Sequence, residues 1–312
     1  MEKIVAVIGA GLIGRAWAMV FARAGWRVRL HDRDCAQLAA AHAFIAASLD
    51  EQAGYGLVTD PKGALARIDC VPALADALAG VDWVQENLPE TLDVKREVFA
   101  ALDRHTPAEA VLASSTSAIP ASQFTAALPG RARCLVAHPV NPPHLVPVVE
   151  LCGAPWTAPA VIERAKRVYA ELGQVPIVVN REIDGFILNR LQGALLAEAM
   201  RLVGEGYVSA ADLDKTVRDG LGLRWSFMGP LATIELNAPN GIADYCARYG
   251  GFYRRLAEAP PAPSVWDADS AARVAGTLGP PVDAHALEAR TRWRDRRLMA
   301  LAQHKRQQTE SE

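Results

Sequence analysis

The sequence predicts an α/β chain: a mostly parallel sheet with helices on both faces, followed by an all-α C-terminal domain. Three observations carry this. Apolar strand-like runs alternate with helical periodicity over the first two-thirds of the 312 residues, which implies parallel pairing through right-handed crossovers. Runs such as Ala110–Ala113 and Cys134–Ala137 are continuously apolar, as a sheet covered on both faces requires. From Gly185 onward the pattern is helical, with almost no strand character.

The elements follow in order. Strands are expected over 3–8, 27–31, 81–84, 110–113, 133–137 and 175–179. Helices are expected over 12–25, 34–53, 93–103 and 159–172, with a shorter one near 120–128. Beyond residue 184, Ile187, Leu191, Leu195 and Leu202 recur near helical spacing and predict one long helix over 184–205. Ser209 reads as the N-cap of the next helix, with Asp212 at the capping-box position. Residues 259–264 form a linker, Gly279-Pro280-Pro281 marks a break, and 283–305 is a charged helix whose last residues, 307–312, are expected to fray. The expected domains are therefore 1–183 and 184–312.

Composition narrows the class. The chain is 51% apolar and 22% charged with net charge −2, so it offers no basic footprint for nucleic acid. Arg15 and Arg23 interrupt the first helix, and no stretch is apolar enough to span a bilayer. A signal peptide is not expected, because glycines and no small-residue cleavage site follow the N-terminus. The five cysteines are scattered and form no C-x-x-C pair, which fits reduced thiols in a cytoplasmic protein rather than disulfides or a metal site.

The densest chemical signal lies at the N-terminus. Ile4–Ile8 stops at Gly9, Gly11 and Gly14 complete a G-x-G-x-x-G spacing, and Asp32 closes the second apolar run. This is the Rossmann-type dinucleotide fingerprint. Gly9 permits the tight turn, Gly11 lets backbone approach a pyrophosphate, and Gly14 lets helix and strand pack closely. The helix N-terminus offers N–H groups to phosphate. Asp32 is placed to take both ribose hydroxyls, which favours NAD over NADP, although Arg33 beside it could accept a 2′-phosphate.

Further candidates sit after later strands. Glu90 and Lys95 could face the cofactor or form a solvated ion pair. The hydroxyls of Ser114-Ser115-Thr116-Ser117 could cap a helix or hydrogen-bond a substrate oxygen. His138 follows a strand and precedes a proline-rich turn. Glu150 lies in the apolar stretch Val148–Leu151 and needs a partner. A His138–Glu150 pair would suit a general base, with His144 as a competing candidate. Asn189 alone reads as an ordinary helix polar residue. Arg224 could clamp a substrate carboxylate or pair with Asp219 or Glu235.

These motifs together resemble the 3-hydroxyacyl-CoA dehydrogenase family over nearly the whole chain: the glycine fingerprint, Glu90 with Lys95, the run ending at Ser117, His138-Pro-Val-Asn-Pro, Glu150, and Gly185-Phe-Ile-Leu-Asn189. The resemblance implies His138 as catalytic base, Glu150 as its partner, Ser117 and Asn189 on the substrate oxygen, NAD as cofactor, and a homodimer through the helical domain. A narrower resemblance, to the lambda-crystallin branch that includes L-gulonate 3-dehydrogenase, rests on Glu86–Glu90, Ala137–Pro143, Leu221–Leu231 and Trp293–Met299. It implies cofactor contacts by the Leu12 and Ile13 backbone, Asp32, Glu90 and Lys95. It also implies a free L-3-hydroxy acid as substrate, since Pro139-Val140 stand where the wider family shows aromatic residues. The alternatives are a 3-hydroxyacyl-CoA substrate, for which Lys62 and Arg67 are isolated charges rather than a cluster, and a non-catalytic crystallin-like binding protein. No metal is expected.

Overall fold

The computed structural model describes residues 2–308; of the end expected to fray, 309–312 lie outside the described residues. The eight strands are β1 (Ile4–Ile8), β2 (Arg27–His31), β3 (Ile68–Val71), β4 (Trp83–Glu86), β5 (Val111–Ser114), β6 (Cys134–Pro139), β7 (Val148–Gly153) and β8 (Val175–Val179). They form one sheet in the order β3-β2-β1-β4-β5-β6-β7-β8. Every pairing is parallel except β6 with β7, which is antiparallel. That one reversal sets His138 directly opposite Glu150.

The helices of this part are α1 (Leu12–Arg23), α2 (Cys35–Gly54), α3 (Pro61–Ala66), α4 (Leu74–Leu78), α5 (Leu92–His105), α6 (Ser122–Thr125) and α7 (Pro159–Glu171). Helix α1 buries Trp17, Met19, Val20 and Phe21 against the sheet, at about 1.5–3 kcal/mol of stabilisation for each large apolar side chain removed from water. Trp17 packs on Tyr169 of α7, which packs edge-on against Trp83 of β4. The Tyr169 hydroxyl donates to Gln85 Oε1 at 2.5 Å and Trp17 Nε1 to Ser115 Oγ at 3.0 Å, while the buried Trp83 Nε1 has no partner among the described residues.

Then follow α8 (Leu188–Gly204), α9 (Ala210–Lys215), α10 (Gly222–Trp225), α11 (Pro230–Glu235), α12 (Gly241–Ala257), α13 (Ala268–Leu278) and α14 (Ala284–Gln307). Ser209 caps α9 as the sequence implies: its Oγ accepts from the Asp212 N–H at 3.1 Å and donates to the Asp212 carboxylate at 2.9 Å. Between α9 and α10 the chain takes a wider, π-helical course over Thr216–Leu221.

The chain forms two compact units. The first runs to Asn189 and resumes at His285; the second is Arg190–Ala284. The charged tail helix, expected in the C-terminal domain, therefore belongs by its contacts to the first unit. Met299 of α14 is buried with Leu57 and Leu145, and Arg296 pairs with Glu51 at 2.8 Å. No helix is long and apolar enough to cross a membrane among the described residues.

Candidate active site

The glycine turn after β1 is shaped for a dinucleotide. Gly9 has φ +94°, and its N–H binds the His31 carbonyl. A Cβ at Gly14 would lie 1.7 Å from the Gly9 carbonyl oxygen, whereas one at Gly11 would meet nothing within 4 Å. Gly14 is thus required by close packing, and Gly11 borders open space where a pyrophosphate can approach. Gly11 caps α1 without a side-chain bond, and no acid stands in the first turn. The N–H groups of the Leu12–Ile13 turn are left to an anion.

Asp32 is fixed at the end of β2. Its two oxygens accept from the N–H groups of Ala10, at 2.9 Å, and Asp34, at 3.1 Å. Beside it opens a slot of about 160 Å³ lined by Ile8, Asp32, Leu74, Leu88, Val94 and Val98, among others. Apolar walls with a carboxylate at the mouth fit an adenosine, with the base between the walls and the ribose at Asp32. Arg33 shares the rim.

Lys95 is not on that rim. It is 1% exposed, and its Nζ donates to Glu86 Oε1 at 2.8 Å, to Glu86 Oε2 at 2.9 Å and to the Leu88 carbonyl at 3.0 Å. Three donors meet three acceptors, so the direct cofactor contact expected from the sequence is replaced by a buried ion pair. The reason is Glu86: a carboxylate at the buried end of β4 demands a cation. Ser114 Oγ adds a 2.6 Å bond to the same carboxylate. Glu90 does not pair with Lys95. Its Oε1 accepts from the Thr116 hydroxyl, and from the N–H groups of Ser117 and Ala118 at 3.0 Å each. The acid therefore organises the loop after β5.

The four hydroxyls of that loop separate by role. Ser114 serves Glu86 and Thr116 serves Glu90. Ser115 donates to Asn87 Oδ1 at 2.7 Å and accepts from Gln85 and Trp17. The Ser117 hydroxyl makes no hydrogen bond among the described residues, and the side chain is half-buried. It is the one left for a ligand.

His138 Nδ1 lies 2.8 Å from Glu150 Oε2, with both side chains buried. Burial pulls the Glu150 carboxyl upward, but the bonds from His138 and from the N–H groups of Leu188 and Ile187 outweigh it and hold the group below its ordinary value. A carboxylate can only accept, so Nδ1 carries the proton and Nε2 is left as the basic nitrogen.

The N–H bonds come from a sharp turn before α8. Gly185 has φ +74° and Phe186, fully buried, has φ +47°. A left-handed phenylalanine is an uncommon, strained conformation. It aims the N–H groups of Ile187 and Leu188 at Glu150 Oε1, at 2.8 and 2.9 Å. The Phe186 ring centroid lies 5.7 Å from that of His138. The next residue, Asn189, donates from Nδ2 to the Ser117 carbonyl at 2.9 Å. One turn therefore joins His138, Glu150, Asn189 and Ser117 into a single constellation.

His144 does not compete for the role of base. It lies in the turn between β6 and β7, its Nδ1 has no partner, and burial together with Arg23, Arg15 and Arg294 pushes its pKa down to about 3. Arg224 lies exposed in the second unit and pairs with neither Asp219 nor Glu235; Asp219 is held by Arg218 at 2.6 Å.

Residues 4–183 match the family profile of the 3-hydroxyacyl-CoA dehydrogenase NAD binding domain, and residues 185–276 match that of the 3-hydroxyacyl-CoA dehydrogenase C-terminal domain. The chain belongs to the 3-hydroxyacyl-CoA dehydrogenase family. Like its family it is an NAD-dependent oxidoreductase. This dehydrogenase is 46% identical to a lambda-crystallin homolog of Bos taurus over 97% of this chain and 96% of that one. It is 42% identical to an L-carnitine dehydrogenase of Streptomyces griseus over 79% of this chain and 73% of the other. Among solved structures, 5-formyl-3-hydroxy-2-methylpyridine 4-carboxylic acid 5-dehydrogenase, described as an NAD-dependent dismutase, superposes with a TM-score of 0.83 at 26% identity, covering 99% of this chain and 100% of that one.

The sequence gives no separate role to Phe186 or Glu86, and leaves Thr116 undistinguished among four candidate hydroxyls. Gly185 before a helix start is the one signal that could have flagged the turn.

Proposed function

We propose that this dehydrogenase oxidises the 3-hydroxyl of a small free L-3-hydroxy acid, of the L-gulonate type. The observation that carries the reaction class is the His138–Glu150 pair, with Nδ1 engaged and Nε2 available. His138 Nε2 accepts the hydroxyl proton as the C3–H bond breaks and the carbonyl forms. Glu150 balances the imidazolium and fixes the ring. Ser117 Oγ and Asn189 hold the substrate oxygen, which orients the C3–H bond. The turn of Gly9, Gly11, Leu12, Ile13 and Gly14, with Asp32 for the ribose, would hold NAD, which would supply the hydride acceptor. Glu90 shapes the loop that carries Ser117, and Lys95 neutralises Glu86 beneath it.

Two features favour a free acid. Relatives named lambda-crystallin homolog and L-carnitine dehydrogenase align with this chain at 46% and 42% identity, and carnitine is itself a free 3-hydroxy acid. Arg224 is an unpaired guanidinium suited to a substrate carboxylate. A 3-hydroxyacyl-CoA is the second reading, favoured by a relative of that activity at 36% identity. NADH formation with L-gulonate, L-carnitine, L-3-hydroxybutyrate and L-3-hydroxybutyryl-CoA, compared side by side, tests the choice. A kcat/KM at least about tenfold higher for the thioester than for every free acid sinks the free-acid reading.

The working form we propose is a homodimer through the helical unit. Helix α12 has no buried residue along its 17 positions, and Tyr249, Phe252, Tyr253 and Leu256 on it are each more than 40% exposed. A helix with this much apolar surface is stabilised by a covering partner. The five free cysteines accord with a reducing compartment such as the cytoplasm.

A further inference from the structure

A second cavity, of about 320 Å³, lies between the tail helix α14 and the turn joining β6 to β7. It shares no residue with the constellation around His138 or with the nucleotide slot. Its polar lining is cationic or neutral: Arg23 from the end of α1, Lys305 and Arg306 from α14, and His144. Leu57, Leu145, Leu298 and Leu301 supply an apolar wall. No carboxylate lines it among the described residues.

Arg23 is the anomaly. It donates to the His144 carbonyl at 2.8 Å and to Gln52 Oε1 at 3.3 Å. Both acceptors are neutral. Arg306 reaches only backbone oxygens, of Leu57 at 3.1 Å and Gly56 at 3.5 Å. Of the nearby acids, Asp295 pairs with Arg294 at 2.7 Å, Glu51 with Arg296 at 2.8 Å and Glu171 with Lys3 at 2.7 Å, and Asp60, which lines the adjoining hollow with Arg23 and Arg306, accepts from the Gly63 N–H at 2.8 Å. Burial and the neighbouring Arg306 push the Arg23 pKa down to about 10, the sign of a guanidinium short of negative charge. His144, 6% exposed, leaves Nδ1 without a partner. Arg23 is half-buried, while Lys305 and Arg306 are exposed at the mouth; a partly buried guanidinium without a counterion is stabilised when an anion completes it.

We propose that this cavity binds a small organic anion, its carboxylate or phosphate head held by Arg23, Arg306 and Lys305 and its short hydrocarbon body against the leucine wall. Guanidinium groups suit either head by paired N–H donation. The position gives the site weight, because His144 belongs to the turn that connects the strands of His138 and Glu150.

The test is binding of butyrate, of butyl phosphate and of neutral butanol to the full-length enzyme, followed by ligand-observed NMR and calorimetry with saturating NADH present. At least one of the two anions should bind with NADH in place, and butanol at least about tenfold more weakly. Arg306→Met should weaken the anion at least about tenfold. Leu301→Trp, on the exposed side of the wall, should fill the cavity and do the same without touching a charge. Both variants should keep the wild-type melting temperature and KM for NAD, so loss of fold is distinguishable from loss of the site. Absence of binding by both anions, displacement by NADH, equal binding of butanol, or anion affinity unchanged in both variants overturns the proposal. None of these outcomes bears on His138.

Discussion

His138 and Glu150 divide one task between neighbouring strands. The histidine presents a basic nitrogen, and the acid keeps it oriented. Removal of the ring by His138→Ala should lower kcat by about 10²–10⁴-fold, the range of general acid–base catalysis, while NADH still binds; stopped-flow fluorescence and steady-state rates check both. Glu150 also links folding to pH. Its folded pKa is held below the ordinary 4.5, so its stabilising contribution is full above that value and is lost as pH falls through the folded pKa. Urea midpoints should therefore drop below about pH 4.5 more steeply in wild type than in Glu150→Gln. At the proposed nucleotide site, Asp32→Ala should raise KM for NAD more than for NADP, because a carboxylate placed to take ribose hydroxyls would also repel a 2′-phosphate. The glycine turn and the His138–Glu150 pairing were legible in the sequence, the turn from its spacing and the pair from a carboxylate in an apolar stretch that needed a partner. The place of Lys95 was not. A lysine following a strand end looks the same whether it meets a cofactor or a buried acid, and Glu86 gave no hint that it would be fully enclosed.

At the scale of elements, the parallel strands and long helices were readable because their apolar runs are continuous or strongly periodic. Two strands escaped. Strand β3, Ile-Asp-Cys-Val, lies at the sheet edge, where only Ile68 is buried. Strand β7 holds Glu150 in its middle, and a charged residue argues against a strand with four buried positions. Only the cross-strand bond to His138 and the N–H groups before α8 make that residue tolerable there. The short α3 and α4 were missed because five or six residues give too little periodicity. Two predictions belong at this scale. Gly14→Ala should force α1 away from the turn and cost about 1–3 kcal/mol in denaturant unfolding, together with NAD affinity. Lys95→Met should leave the Glu86 charge buried and alone, costing about 3–5 kcal/mol. Wild-type stability with a raised KM for NAD would instead place Lys95 on the cofactor.

On the scale of the molecule, the division of the chain departs from a simple two-part order. Sequence patterning marks where strands give way to helices, but not which body the tail rejoins, since a charged helix with one buried methionine carries little address. The exposed aromatic face of α12 is the surface the proposed homodimer would cover. Light scattering should give twice the mass implied by 33.5 kDa, and Phe252→Asp should shift it toward one chain. The return of α14 to the first unit has an order-of-synthesis consequence. Leu57 and Leu145 leave the ribosome well before Met299, so the cluster they form with it can close only after α14 has been made. Until then the nascent N-terminal body keeps an apolar seam open to the cell, and a stalled or shortened product should be a preferred client of chaperones.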